Sequence, residues 1–269
     1  MNCRDVDHFL IEHEDSAGVR LPAKVHEHVL ACDSCGDLVR ALSPSVVAEG
    51  PSLEILRRLE RSLAAELRPV RPLAPARYFF AAFAAIFVLI VTAGVYPLGA
   101  FAIAVMSPAQ SIAMLGALSA SAGLVVYSLV RQMAPGSRHW VPPKPLPVVV
   151  VAVLAIVMTG LFRFQYERDF WSSGWACLRA GTAFALLAAV PFWLILRRGA
   201  ILSPRVTGAT AGFLAGLVGT SALELHCTIL GAAHILTWHL GVALLGALIG
   251  LAAGFAGEAA GRHLRSAPR

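Results

Sequence analysis

Residues 78–130 read YFFAAFAAIFVLIVTAGVYPLGAFAIAVMSPAQSIAMLGALSASAGLVVYSLV, a run without one Asp, Glu, Lys or Arg. A bilayer core about 30 Å thick is crossed by ~20 apolar residues in a helix, so this run holds two crossings. Pro97, Gly99 and the Ser107-Pro108 pair interrupt it, and a break there predicts spans over 78–97 and 109–130. Working outward, further apolar segments predict spans over 146–164, 179–196, 206–225 and 236–257. Pro191 falls inside the fourth, where neighbouring helices can satisfy the freed carbonyl. The stretch RQMAPGSRHWVPPKP separates the second span from the third. RFQYERDFWSSGW, between the third and fourth, reads as a loop at the membrane surface, where aromatic residues collect.

The rest of the chain is physically different. Lys and Arg number 22 and Asp and Glu 16, and residues 1–77 hold 22 of these 38 charges. The two parts join near Pro69–Arg77. The net charge of +6 would point to nucleic acid in a soluble protein. Residues 1–49, however, carry four basic side chains against nine acidic ones. The positive excess therefore belongs to the membrane part and its flanks, and no direct nucleic-acid binding is expected. The opening MNCRDVDHFLIEHEDSAG lacks the basic start and apolar core of a secretory signal, so the first segment is expected to stay in the cytoplasm. With that end inside, the inner loops and tail carry Arg131, Arg138, Lys144, Arg197, Arg198, Arg205, Arg262, Arg265 and Arg269. The outer side carries only Arg163, Arg168 and Arg179. This asymmetry places both termini in the cytoplasm of a multi-pass protein of the bacterial inner membrane.

The expected architecture is all-α. A small helical metal domain spans residues 1–49, an amphipathic helix and linker 50–77, a six-helix membrane bundle 78–257, and a cytoplasmic tail 258–269. Gly208, Gly212 and Gly216, like Gly246, Gly250 and Gly254, recur every fourth residue. Small residues at that spacing let helix backbones approach closely, within one bundle or across a dimer.

The strongest chemical signal is His28-Val-Leu-Ala-Cys32-Asp-Ser-Cys35, with a further cysteine at Cys3. Two cysteines separated by two residues can offer thiolates to one ion, and a histidine one helical turn earlier points into the same space. A fourth donor closes the tetrahedron around Zn2+. Cys3 is the first choice, with His8 or His26 as replacements. A reducing cytoplasm favours metal over disulfide. This segment resembles the zinc-binding anti-sigma domain, whose short helical fold pairs an early cysteine with H-x3-C-x2-C. That resemblance assigns Cys3, His28, Cys32 and Cys35 as ligands and implies capture of an extracytoplasmic-function sigma factor.

In SLEILRRLERSLAAEL, residues 52–67, Leu53, Leu56, Leu59, Leu63 and Leu67 share one helical face, with Ser52 available as N-cap. That face can dock on the metal domain or enter a groove on the partner. We expect Leu53, Leu56, Leu59 and Leu63 to touch sigma.

Two cysteines remain. The predicted topology puts Cys177 at the outer start of the fourth span and Cys227 at the outer end of the fifth, facing an oxidising compartment. They can form a reversible disulfide, or share a soft metal with His226, His234 or His239. Residues 140–257 resemble the NrsF-type membrane anti-sigma factors, through Trp175-Ala-Cys177, Pro191, Arg198-Gly-Ala200, Pro204, the glycines of the fifth span, Cys227 and Trp238-His239. The resemblance implies a redox- or metal-responsive cysteine pair. An enzyme is not expected, because no nucleophile–base pair, phosphate loop or paired carboxylates appear, and no small-molecule substrate is implied. The competing reading, a small transporter with a cytoplasmic metal-binding domain, requires polar groups lining a path across the bilayer. Gln110 and Thr159 offer little for one.

Overall fold

The break predicted near Gly99 is where the first long helix stops. In the computed structural model, which describes residues 2–12, 21–42, 53–66, 73–134, 136–137 and 140–266, Gly99 takes φ +84° and its N–H bonds to the Val95 carbonyl at 2.7 Å. That left-handed conformation ends α5 (Ala76–Leu98) at little cost for a glycine. A short helix, α6 (Phe101–Val105), follows. Ser107 then opens α7 (Pro108–Gln132) with a capping box, its hydroxyl on the Gln110 N–H and the Gln110 side chain on the Ser107 N–H.

The chain continues through α8 (Leu146–Leu161), α9 (Phe170–Leu196) and α10 (Pro204–His226). One turn of helix, α11 (Ala232–His234), then leads through a π-helical turn (Ile235–His239) into α12 (Leu240–Ser266). Every regular element among the described residues is helical. Among the described residues, five stretches are long and apolar enough to cross a membrane: α5, α7, α9, α10, and the segment Ala232–Ala259. The third expected span, α8, has 16 residues, about 24 Å of helix, which falls short of an upright crossing.

The fourth helix departs from expectation at its start. It begins at Phe170 rather than at residue 179, taking in half of the stretch read as a surface loop. The Asp169 carbonyl accepts from the Ser173 N–H at 3.0 Å and the Ser173 hydroxyl at 2.7 Å. Phe170 is buried against Trp238, with ring centroids 5.6 Å apart. Phe170, Trp171 and Trp175 are thus side chains of a helix, whereas Phe164 and Tyr166 precede it.

Connections gather at two ends. At one end, Gln110 Nε2 donates to the Leu161 carbonyl at 2.9 Å, His226 Nδ1 to the Gly99 carbonyl at 3.2 Å, and the Ala232 N–H to the Arg163 carbonyl at 2.9 Å. At the other, the Ala200 N–H reaches the Met133 carbonyl at 3.0 Å, and the Thr207 hydroxyl donates to Gln132 Oε1 at 2.9 Å. Helix α10 runs through the centre, its residues from Phe213 to Glu224 all buried. Its glycine face meets α12 so closely that a Cβ built on Gly208 or Gly212 would strike the carbonyl oxygen of Gly250 or Gly246. The spaced glycines therefore pack within one chain.

Residues 1–71 and 72–269 are separate compact units. In the first, α1 (Cys3–Glu12), α2 (Ala23–Ala31) and α3 (Asp33–Leu42) share a small core of Val6, Val25 and Cys35, flanked by Phe9, Leu10, Leu21 and Val29. Helix α4 (Leu53–Glu66) leaves Leu56, Leu59 and Leu63 exposed. Ser52, Leu67 and the side chain of Leu53 lie outside the described residues, as does His13.

Candidate metal centres

The four donors predicted near the N-terminus come together. Cys3 is the first residue of α1, and His28 sits in the last turn of α2. Cys32 caps that helix in extended conformation (φ −126°, ψ 110°), and Cys35 lies in the first turn of α3. Cys3 Sγ is 3.6 Å from His28 Nε2 and 3.8 Å from Cys32 Sγ. The ligand atoms of Cys3, His28, Cys32 and Cys35 all lie within 4.8 Å of one another. Cys3 is in this group, and His8 and His26 are not.

The sulfurs differ in character. The Cys32 thiol is held below its ordinary range, first by the Cys35 backbone N–H and then by the Cys3 side chain. Burial pushes the Cys35 thiol up to about 12, with the neighbouring Cys3 and Cys32 sulfurs adding to the rise. Three crowded thiols resist common ionisation unless a cation sits among them, and three sulfurs with one imidazole are a donor set that suits tetrahedral Zn2+.

A second group forms in the membrane unit. Cys177 lies two turns into α9, and Cys227 follows the end of α10. Their sulfurs are 3.8 Å apart, and both cysteines are free. His234 Nε2 is 3.7 Å from Cys227 Sγ. With His239 the group is complete, the four ligand atoms again lying within 4.8 Å of one another. Of the three histidines considered from sequence, His226 is excluded, because it turns away to the Gly99 carbonyl and packs on Phe101.

The π-helical turn explains how His234 and His239 meet. Five residues along an ordinary helix rotate a side chain about 140° from its starting direction. Here the Leu240 N–H bonds to the Ile235 carbonyl, five residues back. That pairing stacks residues five apart on one face. The two imidazole centroids are 5.1 Å apart. Glu224, near the end of α10, is fully buried and accepts from His239 Nδ1 at 3.0 Å.

The sequence matches a known family over residues 63–256, that of NrsF, negative regulator of sigma F. The chain belongs to the NrsF family. A relative, the "Probable anti-sigma-F factor NrsF" of Azospira oryzae, is 30% identical over 135 residues. That alignment covers 48% of this chain and 62% of the relative, so the chain spans less than two-thirds of the relative's length. No solved structure matches. The family match takes in the end of α4, α5 to α11 and the first 17 of the 27 residues of α12, and it begins after the N-terminal donor cluster. Within it, the residues that carried the resemblance have structural roles. Gly199 packs on Met133, where a Cβ would come within 2.7 Å of its side chain, and Trp238 covers the cysteine group beside Phe170.

Proposed function

We propose that this NrsF-family protein is a membrane-bound anti-sigma factor of two parts. A cytoplasmic zinc domain, residues 1–49, holds an extracytoplasmic-function sigma factor, and the membrane bundle releases it on an envelope, redox or heavy-metal signal. The observation carrying this reading is the convergence of Cys3, His28, Cys32 and Cys35 in a small helical unit ahead of the family region. Family membership supplies the class of partner. The exposed Leu56, Leu59 and Leu63 supply an apolar stripe for it, in the manner of a helix entering a groove. The excess of Lys and Arg on one set of loops puts both termini, and with them the zinc domain, on the sigma side of the inner membrane. Six crossings follow if α8 spans with its flanking residues. Cys177 and Cys227 lie at the opposite end, where they form the sensing element.

Co-purification tests the reading. The full-length chain is expressed with the small sigma factors of its own genome and isolated through a tag on the chain. Wild type is expected to carry zinc and one sigma factor. Cys32→Ser/Cys35→Ser is expected to lose the sigma factor and the zinc ion held by the N-terminal donors. A folded, zinc-loaded wild-type chain that retains no sigma factor overturns the proposal.

A further inference from the structure

We infer that Cys177, Cys227, His234 and His239 form a second metal site, for a divalent cation of borderline to soft character such as Zn2+ or Cd2+, with Glu224 as its positioning residue. Two observations carry this independently. The first is the convergence of two sulfurs and two imidazoles within 4.8 Å, the S2N2 set that tetrahedral Zn-type ions prefer. The second is a group of buried polar atoms with nothing to bond. His234 Nδ1, His239 Nε2 and Glu224 Oε2 have no hydrogen-bond partner, and each of these residues is 1% exposed.

The Glu224–His239 pair has the form of an outer-shell contact. A carboxylate on one imidazole nitrogen fixes the tautomer and turns the other nitrogen's lone pair towards the ion. With Nδ1 bonded to Glu224, His239 has Nε2 left for the cation. The π-helical turn, a local departure that recurs at functional sites, is what brings His234 alongside. Phe170 meets His234 edge-on at 6.4 Å and Trp238 at 5.6 Å, and Trp171 meets Trp238 edge-on at 5.6 Å. Cys177 is the least buried of the four donors, and the ion reaches the site past it.

The two thiolates balance the cation, and the buried Glu224 carboxylate, bonded to His239, remains as one negative charge beside it. Binding a divalent cation displaces the two thiol protons to solvent. Two thiolates and two neutral imidazoles then leave the metal with its four ligands uncharged. The bound ion ties α9 to the segment after α10 and to the start of the last helix. That this feeds the release of a partner rests on the function proposed above; occupancy of the site does not.

The test is a metal count on the full-length, reduced chain in detergent, titrated with Cd2+ and followed by elemental analysis and thiolate-to-cadmium absorption. Wild type is expected to take two ions. Cys32→Ser/Cys35→Ser is expected to take one, and its absorption should vanish with a further Cys177→Ser. His234→Ala/His239→Ala should weaken the second ion at least 10-fold. Glu224→Gln, which keeps the size and a hydrogen bond, should weaken it about 10–100-fold without changing the melting temperature of the metal-free protein. The inference is overturned if Cys32→Ser/Cys35→Ser takes no Cd2+ under reducing conditions, which would leave the pair a redox device. It is equally overturned if binding ignores both histidines. Failure of sigma capture would leave these counts unchanged, so the two readings fail separately.

Discussion

Replacing Gly212 with alanine adds one methyl group at the centre of the α10–α12 contact. Its Cβ would overlap the Gly246 carbonyl oxygen and lie 2.9 Å from the Gly246 carbonyl carbon and 3.0 Å from Gly250 Cα. Ordinary contact starts at 3.4 Å, so the helices must part by about half an ångström to relieve the carbon contacts, and further for the oxygen. The obstacle is backbone, with no rotamer to change. A gap of 0.5–1 Å forfeits a quarter to a half of each dispersion contact, and overpacking costs about 1–3 kcal/mol. Gly123 in α7 is the control, since a Cβ there meets nothing within 4 Å. At that position alanine should stabilise the helix by ~0.5–1 kcal/mol. For a bundle of this size each kcal/mol moves the midpoint by roughly 2–4 °C. Thermal unfolding of the full-length chain in one detergent should therefore show Gly212→Ala falling and Gly123→Ala holding or rising. Equal shifts for the two variants, or a Gly212→Ala protein as stable as wild type, would refute the packing argument.

Three further outcomes are expected. Leu56→Glu/Leu59→Glu should abolish capture of the sigma factor while leaving zinc content at the wild-type level, because both side chains are exposed and distant in role from the metal donors; retained capture would move the binding surface elsewhere. Reporter fusions at Pro143, Gly199 and Arg269 should report cytoplasm and one at Glu167 periplasm, and a periplasmic C-terminus would mean that α8 does not cross. Gly174→Val should push the Trp238 indole out of its seat, since even a Cβ there overlaps the ring, and should weaken Cd2+ binding at the membrane site; unchanged affinity would show that the aromatic cover is dispensable.

Much of this arrangement was readable because its signals are local. Apolar runs fix helices, Gly99 and Ser107-Pro108 mark a break, and His28, Cys32 and Cys35 lie within one helical turn or one tight corner of their neighbours. The second group was legible as a pair of cysteines with three candidate histidines, but which of the histidines join them was not. His234 and His239 stand five apart, a spacing that neither a 3.6-residue nor a two-residue repeat aligns, and only an unpredicted π-helical turn joins them. The burial of Glu224 was not legible, because sequence does not reveal which face of α10 is walled in by α9 and α12. The start of α9 was misplaced for a related reason. Aromatic residues mark depth in the membrane, and depth does not say whether the backbone there is coil or helix.

The two metal groups should respond oppositely to chelation, and the difference follows from what surrounds each. Around the first, the buried core is Val6, Val25 and one of the ligands themselves, Cys35. Burying an aliphatic side chain contributes roughly 1.5–3 kcal/mol, whereas structural zinc contributes ~10–16 kcal/mol. Zinc bound there, as proposed, is the greater part of that unit's stability. Around the second, the donors are set in a bundle whose core runs from Phe79 to Ala243 and whose central helix is buried with or without an ion. Stripping a fully loaded full-length chain with a strong chelator should therefore expose residues 1–66 to proteolysis while the bundle stays intact. Readdition of Zn2+ should restore protection to that segment. Cleavage that starts instead in the loops of the bundle, or an N-terminal unit that resists protease without metal, would show that this assignment of structural and sensing roles is reversed.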